Sequence, residues 1–177
     1  MPFQIIRNDI TTMDVDAIVN AANTNLIMGG GVCGAIFNAA GERELQMECD
    51  TLSPIKTGEA VITKGYHLLA KYIIHTAGPI WHGGNEGEEE LLRNCYFNSL
   101  DIAKKFSLHS IAFPLISSGI YGYPLRNAIR VAIVTVSEFL CDIDDYDLNV
   151  FLVIYNNEDF LLGKELYENI QDLNGEN

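Results

Sequence analysis

Positive charge is scarce in this chain. Lysine and arginine together number 11 against 24 aspartates and glutamates, a formal net charge of −13. A field of that sign repels polyphosphate backbones at long range, so nucleic acid is not an expected partner. It still permits a small anion held by backbone N–H groups inside a cleft. Cysteine is sparse as well: Cys33, Cys49, Cys95 and Cys141 lie far apart, with no CxxC pair and no histidine at ligand spacing. That argues against a zinc site and against a disulfide framework, and neither metal nor cofactor is expected. No apolar run approaches the roughly 18 residues of a membrane span. The segment Met1-Pro-Phe-Gln-Ile-Ile-Arg7 has neither the basic cap nor the apolar length of a signal peptide. A cytoplasmic protein without a membrane partner is expected. Repeats, low-complexity tracts and linkers are lacking too, which gives one domain over residues 3–170 and a polar, frayed tail over 171–177.

What remains is a chain built to bury a core, with 48% hydrophobic and 10% aromatic residues in 177. Apolar, β-branched runs predict strands at Phe3–Arg7, Ala17–Val19, Glu59–Thr63, Lys71–Thr76, Ser110–Ile116 and Asn149–Tyr155. Helical spacing puts Val32, Ala35, Ile36 and Ala39 on one face of a helix from Val32 to Ala40, which Gly41–Glu44 continues or caps. Acidic residues Glu88–Glu90 open a second helix with the face Leu91, Leu92, Cys95, Tyr96, Ser99, Ala103. Pro124 opens a third, carrying Leu125, Ile129, Ala132, Ile133 and Val136, and a terminal helix runs near Asp159–Asn169. Strands and helices alternating after residue 60 predict a three-layer α/β/α sandwich with a mixed, largely parallel sheet.

In such sheets ligands sit beyond the carboxyl ends of strands. Two loops there are rich in glycine and both open helices: Asn20–Gly31, with Gly29, Gly30 and Gly31 in succession, and Ser117–Tyr123. Glycine lets the backbone come close to a ligand, and the start of a helix presents unpaired N–H groups to an anion. The first loop is neither a P-loop, since no Gly-Lys-Ser/Thr follows, nor a G-x-G-x-x-G turn. Alone it fits a phosphate site or a plain tight turn. Together the two loops could grip a diphosphate from opposite sides.

The motifs Asn8-Asp-Ile-Thr11, Asp16-Ala-Ile-Val-Asn-Ala-Ala-Asn23 and Gly29-Gly-Gly-Val-Cys-Gly-Ala-Ile36 follow one another in a fixed order. After them come Thr57-Gly-Glu-Ala60, His75-Thr-Ala-Gly-Pro79 and Ile116-Ser-Ser-Gly-Ile-Tyr-Gly-Tyr-Pro124. In these the chain resembles the macrodomains, ADP-ribose-binding modules, from Phe3 to about Asp159. It is most similar to the branch that removes ADP-ribose from proteins and deacetylates O-acetyl-ADP-ribose. The resemblance implies that Asp9 accepts a hydrogen bond from the adenine amino group, with Ile10 beside it. It implies that Asn23 fixes the distal ribose and that Gly30, Gly31 and Val32 line that ribose and the diphosphate. Ser118, Gly119, Ile120 and Tyr121 would present amides to the phosphates, with Tyr121 over the distal ribose and Tyr155 against adenine. Each has a plainer role open to it. Asp9 could cap a turn, Asn20 could organise buried hydrogen bonds instead of touching ligand, His75 could be structural, and Tyr155 could pack on its strand.

The chain departs from that branch where Met28 replaces a glycine, Cys33 the usual aspartate and Phe37 a histidine. The missing aspartate is the residue the family uses to position or activate water. Cleaving an ester between ADP-ribose and a glutamate or aspartate side chain expels a carboxylate, which needs little protonation. Water could instead be oriented by Asn23 and by a phosphate oxygen of the substrate. Cys33, in the first turn of its helix, is left with two roles, participant in the chemistry or small packing residue. Loss of a general base costs about 100- to 10,000-fold in rate. The expectation is therefore a weak hydrolase acting on O-acetyl-ADP-ribose or on mono-ADP-ribosylated proteins. The alternative is a reader that binds ADP-ribose without turnover.

Overall fold

A computed structural model describes residues 2–175. Six strands, β1 (Phe3–Arg7), β2 (Ala17–Ala22), β3 (Ala60–Lys64), β4 (Tyr72–Ala77), β5 (Ser110–Phe113) and β6 (Asn149–Ile154), form one sheet in the order β1-β6-β5-β2-β4-β3. All neighbours are parallel except β3, which runs antiparallel to β4 at one edge. Alternate side chains on the strands feed opposite layers, as the two-residue period of a strand requires. Ala17, Val19, Ile74, Ile111, Phe113, Val150 and Leu152 point one way. Ile18, Ile73, Ala112 and Val153 point the other. Helices α3 (Glu88–Lys105), α4 (Leu125–Asp142) and α5 (Asn157–Gly175) bury apolar side chains against the first layer. Helices α1 (Gly31–Ala40) and α2 (Glu42–Leu52) cover the second. This is the expected three-layer sandwich.

Several elements differ from the sequence reading. β2 runs three residues beyond Val19, to Ala22, so Asn20 is a strand residue and not part of the loop. α1 buries Ile36 as expected, but beside it Cys33, Phe37 and Ala40 instead of Val32, Ala35 and Ala39. The helix is apolar on two sides, and periodicity alone cannot say which side meets the sheet. Beyond Gly41, whose φ of 109° breaks the chain direction, α2 is a separate helix with only Leu45 and Cys49 buried. α5 extends to Gly175, so residues 171–175 are helical, and the last two positions of the expected tail lie outside the described residues. Among the described residues no helix is long and apolar enough to cross a membrane.

Candidate functional site

Because β1, β6, β5, β2 and β4 are parallel, their carboxyl ends open on one rim of the sheet. There lies a cleft of about 510 Å³, lined by Asn8, Asp9, Ile10, Gly31, Val32, Ala35, Pro114, Leu115, Ser118, Val153, Ile154, Tyr155, Asn156 and Asp159. The second apolar side of α1, Val32 and Ala35, is thus a wall of this cleft. Asp9 caps the short 3-10 turn Ile10–Thr12: its Oδ1 accepts from the Thr11 amide at 3.0 Å and the Thr11 hydroxyl at 2.7 Å. Oδ2 makes no hydrogen bond among the described residues. One carboxylate can therefore serve both as cap and as acceptor toward the cleft. Tyr155 follows β6 and is 79% exposed, so it does not pack on its strand.

The two glycine loops flank this cleft. In the first, Asn23 folds back on its own loop, donating from Nδ2 to the Ile27 carbonyl at 2.7 Å and accepting the Ile27 amide on Oδ1 at 3.1 Å. An amide side chain has two donors and two lone pairs, so one of each remains. Gln46 of α2 pins the same loop from behind, donating to the Leu26 carbonyl at 3.0 Å and accepting the Met28 amide at 3.0 Å. Gly30 ends the loop as the N-cap of α1, with no side chain capping the first-turn amides. Those N–H groups face outward at the positive end of the helix.

In the second loop Ser117 takes a left-handed φ of 65° and accepts the Tyr123 amide at 2.9 Å, while Gly122 donates to Gly119 at 3.0 Å. The amides of Ser118, Gly119, Ile120 and Tyr121 donate to no described atom. Ile120 stands at the tip, 94% exposed. Gly78, after β4, backs the loop so closely that a Cβ there would sit 2.3 Å from Ser117 Oγ. Tyr121 lies outside the main cleft and lines a neighbouring cavity of about 270 Å³ with Thr24, Thr57, Pro79, His82 and Glu86.

Asn20 and Cys33 face the core. Asn20 is fully buried, its Nδ2 3.0 Å from His75 Nδ1 and 3.7 Å from Cys33 Sγ. His75 Nε2 lies 2.9 Å from Thr63 Oγ1, whose hydroxyl reaches the Lys64 carbonyl at 3.2 Å. With Asn20 donating to Nδ1, the imidazole carries its proton on Nε2 and gives it to Thr63. Burial holds the His75 pKa down to about 3, so the ring is neutral. Burial also pushes the Cys49 thiol, 3.9 Å from His75 Nε2, up to about 12. His75 with the Cys49 thiol and Asn20 in this state offers neither a thiolate nor an accessible base. Phe37 packs edge-on to His75 at 6.4 Å between ring centroids. No group of three histidine, cysteine or acidic side chains among the described residues could hold a metal ion.

Several cleft residues went unread in the sequence: Asn8, Pro114, Leu115, Asn156 and Asp159. The last two form a reciprocal cap at the start of α5, Asn156 Nδ2 donating to Asp159 Oδ2 at 2.7 Å and the Asp159 amide to Asn156 Oδ1 at 2.8 Å. Their three-residue spacing just after an apolar strand is the signal that could have found them.

A family model described as Macro domain matches residues 19–132. A Macro domain-containing protein of Chlorobaculum tepidum is 58% identical over 137 residues, 77% of this chain and 79% of that protein. One from Cupriavidus necator is 46% identical over 92% of this chain and 95% of its own length. Among solved structures, the Oceanobacillus iheyensis macrodomain with ADP superposes with a TM-score of 0.91 at 41% identity, covering 96% of this chain and 92% of that one. A glycine-to-valine variant of the same macrodomain with ADPR gives 0.91 at 40% identity, covering 96% and 94%.

Proposed function

The chain belongs to the Macro domain family, and from that premise we propose that it binds ADP-ribose and slowly hydrolyses ADP-ribosyl esters. The substrates are mono-ADP-ribose on acidic side chains of proteins, or O-acetyl-ADP-ribose. One observation carries the binding half. Two loops of uncommitted backbone amides face each other across a cleft whose far end holds a free carboxylate oxygen of Asp9 and the exposed ring of Tyr155. Adenine lies between Asp9 and Tyr155, its amino group donating to Asp9. The diphosphate lies between Gly30–Val32 and Ser118–Tyr121, held by N–H groups instead of lysines. Asn23, rigid through its two bonds to Ile27, uses its remaining donor and lone pair on the distal ribose and the attacking water. A phosphate oxygen of the substrate orients that water. On a protein ester the water attacks the anomeric carbon of the distal ribose and the bond from that carbon to the ester oxygen breaks. The side-chain carboxylate leaves without a general acid, while the water's proton passes by way of the phosphate oxygen to solvent. On O-acetyl-ADP-ribose the water adds to the acetyl carbonyl, acetate forms, and the ribose oxygen leaves with that proton.

Calorimetric titration with ADP-ribose, followed by a turnover assay on the same sample, tests both halves. Saturable binding and product formation lost in Asn23→Ala are expected. No binding at millimolar ADP-ribose would end the proposal. A second reading, a reader without turnover, is favoured by Cys33, which is buried with its sulfur toward Asn20 and so supplies no group to the water. Cys33→Asp separates the two. A rate within about tenfold of the native protein supports substrate-assisted hydrolysis, whereas a rise approaching the 100-fold or more that a general base contributes would make the native site a reader.

A further inference from the structure

Between its two ends the cleft follows the strand order. Asp9 comes after β1, Tyr155 after β6, Pro114 and Leu115 after β5, and the loop of Ser118 after those. With adenine at the seam of β1 and β6 and the diphosphate at that of β5 and β2, the adenosine ribose bridges two strand spacings, about 10 Å. The side chains along that bridge are apolar: Pro114, Leu115, Val153 and Ile154 at the strand ends, Val32 and Ala35 on α1. A ribose hydroxyl turned toward them loses its water and gains no acceptor. Asp159 differs from them. It is half-buried in the first turn of α5, on the face of the sheet opposite α1, and lines the same cleft. The cap with Asn156 takes its Oδ2 and its amide and so fixes the side chain. Oδ1 makes no hydrogen bond among the described residues. Asn156 spends a donor and an acceptor on the same cap. Among the described residues no lysine or arginine lines the cleft. Arg7 stands beyond Tyr155 in a shallow extension, donating to the Tyr155 carbonyl at 3.5 Å and to Asn157 Oδ1 at 3.4 Å.

We propose that Asp159 accepts the hydroxyls of the adenosine ribose on Oδ1, and so restricts the site to ADP-ribose with a free 2′,3′-diol. The inference rests on the ADP-ribose binding proposed above. An ionised carboxylate only accepts, and a hydroxyl bonded to it gains more than one bonded to a neutral group. The two hydroxyls are neighbours on one edge of the ring, so a substituent on either meets the same oxygen. A 2′-phosphate removes a donor and sets nearly two negative charges against a carboxylate that no cation faces. The same trade separates the two nicotinamide dinucleotides in other α/β folds, where an acidic side chain takes the 2′-hydroxyl and an arginine admits the 2′-phosphate. Here the charged side chains lining the cleft are both acidic, Asp159 and, at the adenine end, Asp9. The substrate class is therefore ADP-ribose that is unsubstituted on its adenosine ribose, and not its 2′-phosphate.

Calorimetry with ADP-ribose and with 2′-phospho-ADP-ribose tests this. The native protein is expected to prefer ADP-ribose by at least about tenfold at physiological salt, where charges beyond about 8 Å are largely screened. Asp159→Asn keeps an oxygen for Asn156 but removes the charge, and should cut that preference at least about fivefold. A residue that served only as a cap would weaken both ligands alike and leave their ratio unchanged. Glu158→Gln removes the same charge from the neighbouring residue, which does not line the cleft, and should move the ratio less than about twofold. Equal native affinity for the two ligands, a ratio that Asp159→Asn leaves unchanged, or one that Glu158→Gln shifts as far would overturn the inference. Failure to bind ADP-ribose at all would be a different result, overturning the underlying function and this inference with it.

Discussion

His75 shows how a single buried side chain can govern the site without entering it. Its ring links β4 to Asn20 of β2 and to Thr63 of β3, and no acidic or basic group among the described residues hydrogen-bonds to it. Protonation would put a charge where the only neighbours at hydrogen-bonding distance among the described residues are an amide, a hydroxyl and a thiol. The folded-state pKa of about 3 lies below the unfolded value near 6.5. Between those values the unfolded chain binds the extra proton. Stability is therefore highest above pH 6.5 and falls as pH drops toward 3, at no more than about 1.4 kcal/mol per pH unit from this one group. Urea unfolding between pH 7 and pH 5 measures the slope, and His75→Gln should flatten it in that interval. An unchanged slope would show that His75 titrates normally and that the core around Asn20 admits water.

At the scale of elements, the start of α1 depends on one close approach. A Cβ on Gly34 would lie 2.6 Å from the Gly29 carbonyl oxygen, so the glycine loop rests directly on the helix backbone. Gly34→Ala forces the loop outward and carries the amides of Gly29–Gly31 with it. Alanine is the better helix former by about 1 kcal/mol, which offsets part of the clash. Affinity for ADP-ribose should then fall at least about tenfold while urea stability moves little, and equal losses in both would mean that the loop does not set the binding geometry. This contact was invisible in the sequence, where Gly34 is a lone glycine inside the expected helix, separated from the glycine run by Val32 and Cys33. What could be read was whatever one period or one motif encodes: the strands, α3 and α4 with their buried faces, and the two rim loops. α2 escaped because Leu45 and Cys49 make too thin a stripe among polar neighbours. The face of α1 was displaced because its apolar residues serve both the core and the cleft. Of the expected site residues, Asp9, Ile10, Gly31, Val32, Ser118 and Tyr155 come together on one cleft. Asn20 and Cys33 turn to the core, which side-chain direction decides and residue type does not.

For the whole molecule, the disproportion between charge and proposed ligand makes a sharp demand on solution behaviour. A chain of net charge −13 repels a diphosphate at long range, and that repulsion is screened over about 8 Å at physiological salt. The attraction proposed at the cleft comes from backbone N–H groups of Gly30–Val32 and Ser118–Tyr121, which act at contact distance and are screened far less. A site built on lysines behaves in the opposite sense, because added salt weakens its main attraction. Raising sodium chloride from about 50 mM to about 500 mM, across which the Debye length shortens severalfold, should therefore leave ADP-ribose affinity unchanged or strengthen it by up to about threefold. The association rate should rise with it, since screening removes the barrier to approach. Calorimetry and stopped-flow fluorescence over that range provide the measurement. A loss of affinity of tenfold or more would mean that side-chain cations, and not main-chain hydrogens, hold the phosphates, and the two-loop account of the cleft would fail.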